Sequence, residues 1–333
     1  MTGRLARMRI IVLALAFAAL VPARAAAAGG PPSVYSSAGP RGIVSPDGAS
    51  RYVTLSTRHG NLLVQISTNG GRLIDQRSLH DVHDGRSAFG IPSVASDGSP
   101  GGLSGDGRIL FLGESFVQLR QGKTSFLILN AEGLDSTRRV TLQGAYTLDA
   151  VSPDGSKLYL TQYQPNFDPT AYAIRTYDVQ TGRLLDKPVI DPSEPEERMR
   201  GFPVTRATSP DGRWAYTLYD GGTDTPFIHA LDTAKGTAKC VDLDALGDLR
   251  GIRHLDLTLS ADGSSLSVSK DSQQIAAMDT TTFAVTNPES ATKDGGSDSG
   301  PPWTLFAVAG VGAIAIAAAV RPAMRRRRRV AET

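Results

Sequence analysis

Two histidines and two aspartates crowd into His80-Asp81-Val82-His83-Asp84, the densest group of metal-ligating side chains in this 333-residue chain. Imidazole nitrogens and carboxylates suit zinc or another transition metal, but two further ligands would have to come from elsewhere. No other histidine stands nearby in sequence, and a polar loop between structural elements has the same composition, so the loop is preferred and no metal is assigned. Nucleophilic catalysis finds no better footing. Gly102-Leu103-Ser104-Gly105 is too short to be a Gly-x-Ser-x-Gly elbow. The chain has no Walker box, no Gly-rich nucleotide loop and no Cys-x-x-Cys-His haem site. No catalytic residue and no cofactor is therefore expected.

The remaining carboxylates of interest recur. Ser152-Pro153-Asp154-Gly155 is repeated as Ser45-Pro46-Asp47-Gly48 and Ser209-Pro210-Asp211-Gly212. Looser copies stand at Ser104-Gly105-Asp106-Gly107 and Ser260-Ala261-Asp262-Gly263. Successive aspartates are 59, 48, 57 and 51 residues apart, and a period near 50 marks a repeat architecture. Ser, Pro, Asp and Gly in this order suit a type I turn, with proline presetting φ at the second position. Asp47, Asp106, Asp154, Asp211 and Asp262 are thus expected to be structural turn residues rather than acids or bases.

Each box leads into a segment rich in β-branched and aromatic residues, such as Lys157-Leu-Tyr-Leu-Thr161 and Trp214-Ala-Tyr-Thr-Leu218. A second such segment follows and ends in a polar turn: Ile174-Arg-Thr-Tyr177 before Asp178-Val-Gln-Thr-Gly182, Ile228-His-Ala-Leu231 before Asp232-Thr233, Ile275-Ala-Ala-Met278 before Asp279-Thr280. One strand before the box, one after it, a third ending in Asp-Thr or similar and a weaker fourth make a four-stranded antiparallel sheet, the blade of a β-propeller. On the box, on Lys157–Thr161 and on the Tyr-Asp-Val-Gln-Thr-Gly run at 177–182, the chain resembles the YVTN-type β-propeller repeats, related in architecture to WD40 and TolB-like propellers. The expected fold is all-β, with five recognisable blades over residues 41–287. The long first interval holds Ser96-Asp97-Gly98, readable as a decayed box, which leaves a six-bladed ring with one degenerate blade as the alternative.

In a propeller the segments leading into the innermost strands share one mouth of the channel. Here they are 80–93, 144–150, 197–208 and 249–258. They carry His80, His83, Arg86, Tyr146, Asp149, Arg198, Arg200, Arg206, Arg250, Arg253, His254 and Asp256. Cationic groups so placed suit an anionic small molecule, a glycan or an acidic loop of a partner protein. Solvated loop charges would look the same.

Charge is segregated along the chain. Residues 1–28 hold four arginines, 303–333 hold six arginines and Glu332, and 29–302 hold 25 Lys plus Arg against 32 Asp plus Glu, a net of −7. An acidic central region argues against a nucleic-acid reader. Residues 1–28 read as a signal peptide: Arg4, Arg7 and Arg9, the apolar run Ile10–Val21, then small residues; no Arg-Arg pair points to twin-Arg export. Residues 29–40 form a linker or first strand, and 288–302 a flexible stalk without large apolar side chains. Residues 303–320 carry no charge and are just long enough to span a bilayer; Trp303 suits the outer interface, and the basic tail 321–333 the cytoplasm. This end is similar to cell-wall sorting signals but lacks a Leu-Pro-x-Thr-Gly box. Cys240 is the sole cysteine, so no intramolecular disulfide is possible, and an exported chain of this composition suggests a bacterium.

The function expected from these features is a non-enzymatic binding or scaffold module, anchored in the cell membrane with its propeller outside. The alternative is an enzyme: similar propellers include phosphogluconolactonase-like and streptogramin-lyase-like members, which use His, Glu or Arg at the channel mouth, with or without a divalent ion. That resemblance would place activity on the twelve mouth residues.

Overall fold

The computed structural model describes residues 42–57, 60–79, 89–114, 122–163, 171–193, 199–222, 225–247, 249 and 254–287. The expected signal peptide, linker, stalk, membrane span and basic tail lie outside them, as do His80, His83, Arg86, Arg198, Arg250 and Arg253. No helix among the described residues is long and apolar enough to cross a membrane.

The described chain is all-β. Its strands form five sheets, each built on an antiparallel meander of four strands in chain order, to which the third adds a fifth short strand. The first holds β1 (Ile43–Val44), β2 (Ser50–Thr57), β3 (Gly60–Ser67) and β4 (Leu73–Leu79). The second holds β5 (Phe89–Gly90), β6 (Ile109–Glu114), β7 (Lys123–Asn130) and β8 (Ser136–Gln143). The third holds β9 (Ala145–Val151), β10 (Lys157–Tyr163), β11 (Ala171–Asp178) and β12 (Arg183–Val189), with the short β13 (Met199–Arg200) beside β11. The fourth holds β14 (Pro203–Thr208), β15 (Trp214–Tyr219), β16 (Phe227–Asp232) and β17 (Thr237–Asp242). The fifth holds β18 (Leu255–Leu259), β19 (Ser265–Lys270), β20 (Gln273–Asp279) and β21 (Val285–Thr286).

Alternation along each strand sends apolar side chains to both neighbouring sheets. On β6, Leu110 and Leu112 pack with Tyr52, Leu63 and Leu79 of the first sheet, whereas Phe111 packs with Leu148, Leu158 and Leu160 of the third. Tyr159 and Ile174 of the third sheet meet Ala215 and Leu231 of the fourth, and Leu218 and Ile228 of the fourth meet Leu257 and Leu266 of the fifth. Burial falls outward: every residue of β9 is buried, while most of β12 is not. Sheets stacked face to face, with apolar side chains shared between one sheet and the next, are the blades of a propeller.

The box has one geometry in all five sheets. It joins the first and second strands, and its glycine N–H donates to its serine carbonyl at 2.8–3.0 Å. The aspartate Oδ1 accepts from the serine hydroxyl and from the backbone N–H two residues on. The serine Oγ in turn accepts the first N–H of the second strand, for example from Lys157 at 2.9 Å. Hydrogen bonds to the ionised carboxylate favour it, and Asp47, Asp154, Asp211 and Asp262 are held below the usual carboxylate range, Asp262 at about 2. The threonine that follows the third strand explains its own recurrence. Thr68, Thr233 and Thr280 donate from Oγ1 to the box glycine carbonyl of their own sheet at 2.5, 2.9 and 2.6 Å.

Candidate binding site at the sheet axis

The extra residues between the first two boxes are not a degenerate blade. The first strand of the second sheet is interrupted: Phe89–Gly90 pair with Gly113–Glu114, and pairing resumes at Leu103, opposite Leu110. Between them the chain leaves the sheet as a hairpin, with Ser93 bridged to Pro100 and the Val94 N–H on the Ser99 carbonyl. Ser96-Asp97-Gly98 does have box-like chemistry, since Asp97 Oδ1 accepts from the Ser99 N–H and hydroxyl at 2.8 and 2.7 Å. It caps this hairpin instead of joining two blade strands, which removes the sequence ground for a sixth blade.

The hairpin reaches past the third sheet to the fourth. The N–H groups of Ser96 and Asp97 donate to the carbonyls of Pro203 and Val204 at 2.9 and 3.1 Å, and the Ser96 hydroxyl adds a bond of 2.7 Å to Pro203. Val204 is the extra residue of a β-bulge in β14, and such a bulge frees a carbonyl from the ladder. The hairpin therefore crosses on the axial side of the first strands.

Below the hairpin the box turns converge. Asp106 N–H donates to the Pro153 carbonyl at 2.8 Å, joining the second and third sheets. Gly107 packs on Pro46 of the first sheet. Gly105 lies so close to Asp211 and Gly212 of the fourth sheet that a Cβ there would collide with the Asp211 carbonyl oxygen. Between this floor and the hairpin is a cavity of about 270 Å³, lined by residues of the first four sheets and of the hairpin, among them Ile43, Val94, Leu103, Val151, Pro210 and Ala215. That is just below the roughly 300–1,000 Å³ of typical small-molecule pockets. Val44, 40% exposed, and the exposed Pro46, Thr208 and Pro210 mark its mouth at the box end.

Two of the mouth residues expected from sequence, Asp149 and Arg206, line this cavity together. Asp149 is the extra residue of a bulge in β9, because Leu160 pairs with Leu148 and Tyr159 with Ala150. The bulge turns its side chain onto the fourth sheet, where Arg206 Nη2 pairs with Oδ1 and Nη1 donates to the Asp149 carbonyl at 2.9 Å. Their side chains are 2% and 5% exposed, and Asp149 Oδ2 and Arg206 Nε have no partner.

The pair opens a polar row. Arg206, Thr217, His229 and Cys240 stand side by side across the fourth sheet, on the face that meets the third. His229 is 1% exposed, its Nδ1 and the Thr217 hydroxyl are unpartnered, and Tyr219 meets its ring edge-on at 6.3 Å. Burial holds the imidazole down at about 4; the Asp149 and Asp191 carboxylates pull upward and Arg206 downward.

The other described mouth residues are not gathered here. Tyr146 is buried between the second and third sheets, its hydroxyl accepting from Gln162 Nε2 at 2.9 Å, and burial raises its phenol. Arg200 is exposed on β13, paired with Ala171. His254 is exposed with φ +62°, and Asp256 is exposed on β18. The apolar lining and the role of the hairpin escape a reading of loops alone, although the 59-residue interval marked where to look.

No family model matches the chain, and no curated protein matches it. Among solved structures it is similar to hydrazine synthase of Kuenenia stuttgartiensis, at 12% identity and TM-score 0.44 over 76% of this chain and 66% of that one. It is similar to a putative TolB from Agrobacterium tumefaciens, at 17% identity and TM-score 0.41 over 73% and 78%. It is also similar to the Dos1 propeller, at 11% identity and TM-score 0.41, spanning 73% of this chain and about half, 56%, of that one. Likenesses this remote assign neither ligand nor activity to the chain.

Proposed function

We propose that this chain is an exported, membrane-tethered β-propeller that acts as a non-enzymatic binding module, and that its ligand enters the axial cavity. The observation that carries the proposal is the cavity itself: it reaches solvent at Val44 and Thr208, yet its two ionisable side chains already hold each other. A wall whose carboxylate and guanidinium are paired with each other suits capture rather than turnover. The enzymatic alternative draws no support from Arg206, whose guanidinium Asp149 occupies. The tether rests on the uncharged run 303–320 and the arginines after it.

Binding is tested with the full chain in lipid nanodiscs, comparing what wild type and Val44→Trp retain from an envelope extract. Val44 is exposed, so the indole closes the mouth without disturbing the core. Retention of one species by wild type alone is the expected result, and identical retention by both would remove the cavity from the proposal. A stoichiometric divalent ion in the purified chain would favour the enzyme. Protease added to intact cells should digest the propeller and spare the segment beyond residue 303.

A further inference from the structure

We infer that the group the cavity takes up is compact and apolar, an aromatic ring or branched aliphatic, and not the anion that arginines at the channel mouth suggest. The inference rests on the cavity being the ligand site and adds the chemistry of what enters it. Every hydroxyl deep in the wall is already committed. Ser104 Oγ donates to Asp106 at 2.6 Å and Ser209 Oγ to Asp211 at 2.5 Å, and each also accepts a strand N–H. Thr233 Oγ1 donates to the carbonyls of Gly212 and Arg213, both at 2.9 Å. Arg206 gives two of its donors to Asp149, and its Nε lies buried out of reach. An anion entering here would lose its hydration shell and meet a guanidinium whose charge Asp149 already balances, beside side-chain hydroxyls already bonded. An apolar group loses nothing of the kind and covers the side chains of Ile43, Val94, Leu103 and Val151.

The size of the cavity sets a further limit. About 270 Å³ admits one ring or one branched side chain with its attachment, and excludes an extended acyl chain or a sugar chain. The floor cannot yield to something larger, because backbone meets backbone where Gly105 passes Gly212. The mouth can, since the side chains of Val44 and Thr208 that line it are exposed. The same chemistry could come from a free small molecule or from an apolar side chain on a partner's loop, and the two sources are separable.

The test uses the full chain in nanodiscs with methyl-labelled Val and Leu, titrated with toluene, with benzoate, and with a capped Gly-Gly-Phe-Gly-Gly peptide. Toluene and benzoate share a ring and differ in charge. The expected result is saturable movement of the Val44, Val94 and Leu103 methyl signals with toluene, at least about tenfold tighter than with benzoate, and weakened about tenfold in Val44→Trp. Displacement of toluene by the peptide assigns the source to a partner loop; no displacement assigns it to a free molecule. Benzoate binding as tightly as toluene overturns the apolar assignment while leaving the cavity as the site. Methyl signals that move with neither probe, in a chain whose spectrum is that of the folded protein, overturn both.

Discussion

Protonation of His229 should cost the folded protein stability as pH falls from 6.5 toward 4. Burial holds this imidazole at about 4 in the folded chain, against an ordinary value near 6.5. The unfolded chain thus binds a proton between those two values that the folded chain refuses. Stability from this group is fully present above pH 6.5, falls as pH drops toward 4, and is gone below it. A difference of about 2.5 units corresponds to about 3 kcal/mol, and the slope cannot exceed about 1.4 kcal/mol per pH unit for one proton. The shifted carboxylates do not confuse the range, because Asp47, Asp154, Asp191, Asp211, Asp232 and Asp262 all titrate below 3.8. The assay is urea unfolding of the full chain at half-unit steps from pH 7 to 4, for wild type and His229→Gln. Subtracting the variant removes the other four histidines of the sequence. Wild type should lose about 3 kcal/mol more than the variant across the range. Parallel curves would mean that the His229 imidazole is solvated or paired, and would refute its burial between the third and fourth sheets.

Two further substitutions probe the axis and the turns. Asp149→Ala should destabilise by about 3–5 kcal/mol, since it leaves Arg206 buried without a counter-charge, while Asp149→Leu with Arg206→Met should cost far less; thermal melts decide. Asp154→Ala should cost about 1 kcal/mol at neutral pH and progressively less as pH falls below the usual carboxylate range, because the hydrogen bonds it removes, from Ser152 and Ser156, favour the ionised carboxylate; urea unfolding at stepped pH checks it.

Much of the fold could be read from residue order because a blade is a local object. The box, the strand after it and the Asp-Thr turn each lie within a few tens of residues, and Thr233 reaches the box glycine only 21 residues away. The axis is different. Asp149 meets Arg206 across 57 residues, and the Ser96 hydroxyl finds Pro203 across 107. Both contacts depend on β-bulges, single unpaired residues in β9 and β14 that composition does not mark. Arg206 was visible as a cation at a strand start, but its consumption by Asp149 depends on how one sheet is set against the next. His229 looked like one more residue in an apolar strand. Only strand register places it in line with Arg206 and Thr217.

Amide hydrogen exchange tests most directly whether these sheets converge on one axis. Ser96, Asp97 and Asp106 are exposed residues in turns, and their N–H groups bond to carbonyls of Pro203, Val204 and Pro153 in other sheets. With the hairpin and box turns docked as described, these three amides should exchange orders of magnitude more slowly than an unstructured peptide and slow further when the cavity is filled. Exchange at the unstructured rate, beside protected strands within each sheet, would show separate sheets without a common axis and leave no cavity for a ligand to enter.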